Sequence, residues 1–356
     1  MGNYLEIICK NNQKKALIPF GRSLAEVFED LKIELPYQVV AARVNNKIES
    51  LNYCLYRNKT IEFVDLSCES GMRVYVRSLV FVLFKAIVDL IPNGRLRVEH
   101  PVSKGYYCEI TANGEKISFE QLAAIKIRMK EIIEQNIRFV SEDKPTSEVI
   151  EVFAKHNRTD NVDLLQTYKN YYTEYHSLDG LPDFYSGVVL PSTGYLSLFD
   201  IHPYYKGFLI QIPKRSNPIE LEEIVVQNKL LEVFADHYKW CRIMGINNIA
   251  DFNNIEKGKL RDFIKVTEAL HEKQISKMAD TIAERSEKTK IVLVSGPSSS
   301  GKTTFTKRLS VQLMASGIKP ISLSLDNYFV DRENTPLDEK GDYDFESLYA
   351  LDIAYF

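Results

Sequence analysis

Along the first 66 residues apolar and polar positions alternate in short runs. Tyr4–Cys9 has the two-residue period of a strand with one buried face, and Lys15–Pro19 is placed to fold back on it as a hairpin. Ser23-Leu-Ala-Glu26 is a capping-box pattern that opens a helix running through Leu31. Val39–Val44 and Thr60–Val64 are β-branched strand candidates. Two strands, a helix and further short strands in this order predict a small β-grasp fold over 1–66. From 67 to 215 the pattern is mixed α+β. An apolar helix over Val76–Ile91 is stopped by Pro92-Asn-Gly94, and strands at Arg95–His100 and Tyr106–Ile110 flank a Ser-Lys-Gly turn. Helices follow over Phe119–Asn136 and Thr146–His156, then a Tyr-rich stretch, then short strands punctuated by Gly and Pro over Gly187–Leu209.

Ile219–Trp240 and Gly258–Glu287 read as mostly helical, the second as a solvated amphipathic helix within a connector over 216–288. At Lys290 the character changes. Ile291–Ser295 is a short continuous apolar run, as in a buried parallel strand, and Lys302–Ser316 is a helix closed by Gly317. Pro320–Leu325 is a second apolar run ending at Asp326. The pattern over 289–356 therefore predicts one βαβ unit, the start of a doubly wound α/β domain.

Between the first run and that helix lies Gly296-Pro297-Ser298-Ser299-Ser300-Gly301-Lys302-Thr303, followed by Thr304. This is a full G-x-x-x-x-G-K-[ST] phosphate loop. Its glycines let successive N–H groups turn inward on a polyphosphate, and the helix start adds positive potential. Lys302 is expected to reach the β- and γ-phosphates and the Thr303 hydroxyl to hold Mg²⁺, so the expected ligands are ATP and Mg²⁺. In a doubly wound sheet ligands sit beyond the C-terminal strand ends, which would bring Asp326 beside the loop. There its carboxylate is either the base for an attacking hydroxyl, or a support for Mg²⁺ or a helix cap.

Composition narrows the alternatives. Hydrophobic residues make up 45% of 356 and charged residues 26%, enough for two or three ordinary cores. A net charge of −3 gives no general attraction for nucleic acid, so an RNA partner has no support from charge. The five cysteines are scattered without a CxxC pair, pointing to a reducing compartment rather than a disulfide framework. No signal-peptide core is present at the N-terminus, and Glu6 stands where a myristoylation motif wants Ser or Thr. The most apolar stretch, Leu79–Ile91, holds Lys85 and Asp89 and is too short to span a bilayer. A cytoplasmic protein without membrane attachment is expected.

GPSSSGKTT, then LSLDNYF, then Tyr343-Asp-Phe-Glu346 with Ala350-Leu-Asp352 resembles the uridine kinase and phosphoribulokinase family. The resemblance implies a nucleoside kinase in which Lys302 and Asp326 are catalytic and Asp326 activates the nucleoside 5′-hydroxyl. It also implies that Tyr328 lies near the sugar or base and that Asp344 or Glu346 grips the ribose. Glu346 departs from the family's Asp and Asp344 from its Asn. The family's domain continues well beyond Phe356, so the expectation is a fragment that phosphorylates nothing alone. Two other readings stand beside it: an RNA-binding regulator with a nucleotide switch, and a kinase of another hydroxylated metabolite such as a sugar phosphate.

IPFGRSLAEVFEDL, VVAARVNNKIESLNYCL and KTIEFVD resemble the TGS domain that opens threonyl-tRNA synthetases. LFKAIVDLIP, VEHPVSKGYYCEI, FEQLAAIKIRMKEIIEQN and GFLIQIP resemble the second, editing domain of the same enzymes. That domain's His-x-x-x-His pair falls here on Arg77 and Phe81, and its later Cys-plus-His segment on Asp179–Gly187, which has neither. The resemblance therefore implies binding or docking without editing chemistry, and no structural zinc.

Overall fold

The computed structural model describes residues 4–297, 299–338 and 341–356, and the chain divides into two compact units, Met1–Asn254 and Ile255–Phe356. In the first, β1 (Tyr4–Cys9) and β2 (Lys14–Pro19) form an antiparallel hairpin. The alternation of β1 buries Leu5, Ile7 and Cys9 on one face. Helix α1 (Leu24–Leu31) starts at Ser23, whose hydroxyl accepts from the Glu26 amide while the Glu26 carboxylate accepts from the Ser23 amide. It ends at Lys32 in the left-handed region. β3 (Val39–Val44) turns through Asn45-Asn46, both at positive φ, into β4 (Lys47–Glu49). β5 (Lys59–Asp65) runs parallel to β1 and antiparallel to β3, giving the order β2-β1-β5-β3-β4.

Helix α2 (Glu69–Leu90) begins seven residues before the predicted start at Val76 and is apolar on nearly every side. Such a helix has to be buried, and Tyr75, Leu79, Phe81, Leu83 and Ile87 carry the largest core of the protein. β6 (Gly94–Val102) and β7 (Gly105–Ala112) form a hairpin through Ser103-Lys104, both at positive φ, and β8 (Glu115–Lys116) adds to β7. Helix α3 (Phe119–Glu134) has a second capping box at Ser118 and packs on α2 through Leu122, Ile125, Met129 and Ile132.

β9 (Phe139–Pro145), α4 (Thr146–Lys155), α5 (Thr159–Thr167), β10 (Tyr172–Leu178) and β11 (Leu181–Asp183) follow, with sheet order β11-β10-β9. β12 (Asp200–Tyr204) and β13 (Gly207–Gln211) join β7 and β6 in the order β12-β13-β7-β6. β14 (Pro213–Lys214) and β15 (Asn217–Leu221) form a small hairpin, so the helix read from Ile219 is a strand at its start. Pro218 and the pairing with β14 account for the difference, and α6 (Asn228–Ile243) begins nine residues later, before α7 (Ile249–Asn253).

In the second unit α8 (Lys257–Glu284) lies along α9 (Lys302–Ala315). Ile275 and Ala279 of α8 meet Leu309 and Leu313 of α9, and Arg308 pairs with Glu272 across the seam. The long helix is therefore not solvated all round. The two flanking strands expected of a βαβ unit are absent from the described residues. Ile291, Leu293, Ile321 and Leu323 are 78%, 88%, 87% and 65% exposed. A parallel strand forms only between hydrogen-bonding neighbours and under helices, and here α9 spends its apolar residues on α8 instead. Among the described residues no helix is long and apolar enough to cross a membrane.

Candidate functional site

The described residues of the phosphate loop turn sharply into α9. Ser299 and Gly301 stand at φ +59° and +86°, and Gly301 is the residue before α9. A Cβ on Gly296 would lie 2.9 Å from the Ser300 hydroxyl, which would have to turn aside. The Lys302 ammonium bridges the loop, donating to the carbonyls of Gly296 and Pro297 at 2.6 and 2.8 Å. Phe305 makes the first helical bond back to Gly301, which leaves the amides of Lys302, Thr303 and Thr304 in the first turn that a helix cannot satisfy internally. The Thr303 and Thr304 residues are exposed beside them, while Ser298 lies outside the described residues. A cation, free amides and hydroxyls at a helix start are the donor set that an anionic polyphosphate requires.

Asp326 is the second residue of a 3₁₀ turn over Leu325–Tyr328 and is exposed. Among the described residues no hydrogen bond, ion pair or ring contact joins it to the phosphate loop. Tyr328 instead packs on Tyr355 and Phe356, with ring centroids 5.3 and 5.0 Å apart, and its carbonyl accepts from Asp352. Asp344 closes its own turn by accepting from the Glu346 amide at 3.0 Å, and Glu346 is exposed. The structure thus brings Asp344 and Glu346 together, and Tyr328 to the chain near Asp352.

In the first unit the positions compared with a metal-binding pair are filled by packing. Phe81 is fully buried against Phe139 and Tyr185, at 5.7 and 5.3 Å between centroids. The Arg77 guanidinium donates to the Val188 carbonyl, and burial holds it below its ordinary value. Beside them is His176, which the sequence marks only as an ordinary histidine. It is fully buried, with Nδ1 2.8 Å from the Ser141 hydroxyl and Nε2 3.0 Å from the Gly187 carbonyl. Burial is the main cause that pushes it below its ordinary value, with Arg77 acting in the same direction. Alternation along β10 gave no signal for it, because Tyr172 and Glu174, in register with His176, are exposed while Thr173 and Tyr175 are buried. Asp183 accepts from Arg158 and Asn161 at 2.6 and 3.0 Å, so its charge is paired with the Arg158 guanidinium. Among the described residues no three His, Cys, Asp or Glu side chains are grouped to hold a metal ion.

No family model matches the chain. It is similar to the threonine–tRNA ligase of Syntrophomonas wolfei, 27% identical over 184 residues, covering 51% of this chain and 29% of that protein. The threonine–tRNA ligase of Desulforamulus reducens is 27% identical over 177 residues, covering 49% and 28%. That of Rubrobacter xylanophilus is 26% identical over 250 residues, covering 67% and 38%. The chain spans less than two fifths of the length of these relatives. The part of the sequence reading that resembles threonyl-tRNA synthetases accords with them over about half the chain.

The nucleoside-kinase reading is overturned. The relatives are ligases, and the kinase assignment leaned on two strands that the structure does not form. Without those strands nothing carries Asp326 to the mouth of the phosphate loop.

Proposed function

We propose that this chain has an aminoacyl-tRNA ligase-related role in which it engages tRNA without hydrolysing an ester bond and binds ATP with Mg²⁺. In this reading residues 4–66 are a TGS-like β-grasp module and 67–215 a synthetase-like second domain. A connector over 216–288 then leads to the phosphate-loop segment at 289–356. The order β2-β1-β5-β3-β4 over a single helix supports the first assignment. The similarity to threonine–tRNA ligases supports the second. Gly296, Pro297, Ser298, Ser299, Ser300, Gly301, Lys302, Thr303 and Thr304 would cradle the phosphates, with the Thr303 hydroxyl on Mg²⁺. The roles of Asp326, Tyr328, Asp344 and Glu346 are left to whatever group the nucleotide presents to them. Five cysteines that are all free favour the cytoplasm.

One observation supports the absence of hydrolysis: Arg77 and Phe81, the positions compared with the metal-binding pair, carry no metal-ligating side chain and are engaged with Val188 and with Phe139 and Tyr185. The test is retention of a threonine-isoacceptor tRNA transcript by the full chain at ~150 mM salt, a condition under which phosphate contacts are strongly screened. An unstructured RNA of equal length is the control. Preference for the tRNA is expected, with no release of amino acid from charged tRNA. Equal retention of both RNAs, or deacylation, would sink the proposal.

A further inference from the structure

Between the β6–β7–β13 sheet and α6 the first unit holds a cleft of about 280 Å³, near the lower end of the ~300–1,000 Å³ usual for small-molecule sites. Its floor is polar. The Tyr107 hydroxyl and the Lys116 ammonium donate to Glu109 at 2.8 and 3.0 Å, and Glu99 is paired with Arg97 at 3.2 Å. Burial works against the Glu109 carboxylate, yet these two donors hold it below its ordinary value. Its walls are aromatic. Tyr107 meets Tyr205 edge-on at 6.3 Å, Phe234 stacks on His100 at 3.7 Å, and the guanidinium groups of Arg97 and Arg242 lie over the ring of Tyr238 at 3.9 and 4.9 Å.

The rim is cationic. Lys206, Lys239 and Arg242 line it, and among the described residues none has a carboxylate partner. A chain whose net charge is −3 thus gathers four lining cations, Lys116 included, against two carboxylates. The fold does not call for this arrangement. Helix α6 adds only Leu231 and Phe234 to the small core beneath it, so Tyr238, Lys239 and Arg242 contribute little burial. A guanidinium plane over a ring, fixed acceptors in the floor and cations without carboxylate partners at the mouth match the faces, the hydroxyl and amino donors, and the phosphate of one ligand class.

We propose that this cleft binds a purine nucleoside monophosphate, either free or as the terminal residue of an RNA strand. The base stacks on the Arg242 guanidinium that Tyr238 supports, the ribose hydroxyls or exocyclic amine donate to Glu99 and Glu109, and the phosphate rests among Lys206, Lys239 and Arg242. All these residues lie in the first unit, so the site is not the phosphate loop and does not depend on the proposal for tRNA.

The chain's one tryptophan, Trp240, sits on α6 between two rim residues and reports occupancy by its fluorescence. Adenosine monophosphate, adenosine, and a short oligoribonucleotide ending in a 3′ adenosine are titrated into the full chain. Adenosine monophosphate should change the emission saturably and bind more tightly than adenosine. The exposed double substitution Lys206→Glu/Arg242→Glu should weaken it about tenfold, as should Tyr238→Ala, which removes the ring that holds the stacking guanidinium in place. Tyr238→Phe should retain binding, which separates stacking from misfolding. A response to the oligonucleotide tighter than to the monophosphate assigns the site to an RNA end, and the reverse order assigns it to a free nucleotide. The proposal is overturned if neither probe binds, if the charge reversals change nothing, or if the response is lost in Lys302→Ala, which would place the nucleotide at the phosphate loop.

Discussion

His176 provides a measurement of how tightly the filled interior is closed. The Gly187 carbonyl can only accept, so Nε2 carries a proton, and in the neutral ring Nδ1 accepts from the Ser141 hydroxyl. Burial disfavours the charged ring and holds the pKa below the ordinary 6.5. Arg77 adds to that depression, while Glu174, Asp183 and the Gly187 bond oppose it.

As pH falls below 6.5 the unfolded chain binds a proton that the folded one refuses, so stability drops toward low pH and is fully present above 6.5. The slope from this group cannot exceed ~1.4 kcal/mol per pH unit. In His176→Gln the amide can still donate to Gly187 and accept from Ser141, but less well, and the packing beside Tyr185 is lost. Two weakened hydrogen bonds and the lost ring predict a cost of ~2–3 kcal/mol at pH 7.5.

The assay is urea denaturation at pH 7.5, 6.5 and 5.5, followed by the fluorescence of Trp240, which lies in the same unit. Carboxylates common to both proteins cancel in the difference between them. That difference should shrink by up to about 1.4 kcal/mol from pH 6.5 to 5.5. A constant difference would show that His176 takes up its proton equally in both states and that the interior admits charge.

Three further outcomes follow from the same geometry. Lys302→Ala should weaken binding of a fluorescent ATP analogue by about 10- to 150-fold, the range for one charge-assisted contact, with no change in melting; undiminished affinity would remove the loop from the nucleotide site. Phe81→Ala should cost ~3–5 kcal/mol by leaving a cavity beside Phe139 and Tyr185, read by the Trp240 transition; a cost under ~1 kcal/mol would mean the region collapses freely. Ile275→Ala should loosen α9 from α8 by ~2–5 kcal/mol, seen as faster tryptic cleavage at Lys307 and Arg308. Unchanged digestion would show that the helix pair does not rely on that seam.

Much of this protein is determined locally and is legible from residue order alone. Ser23 with Glu26 and Ser118 with Gln121 start their helices through bonds three residues apart, and the alternation of Tyr4–Cys9 sets which face of β1 is buried. The turn into α9 belongs to the same class, because it rests on Gly301 at φ +86° and on the reach of Lys302 across six residues.

Other features are decided by partners distant in the chain. Ile291–Ser295 is as apolar as any strand, yet an apolar run becomes one only where neighbours supply hydrogen bonds and cover. Residues 217–221 follow β14 rather than helical period for the converse reason: a partner is at hand. His176 gives no sign in the sequence that it meets Ser141 and Gly187, because β-pairing over 35 residues and a loop return bring them together. The cleft under α6 is wholly of this kind, since its residues come from three separate stretches between 99 and 242 and converge only when helix and sheet are packed. Local bonds and periodicity are written in adjacent residues. Burial, pairing and the meeting of charges depend on which surfaces the tertiary fold brings face to face.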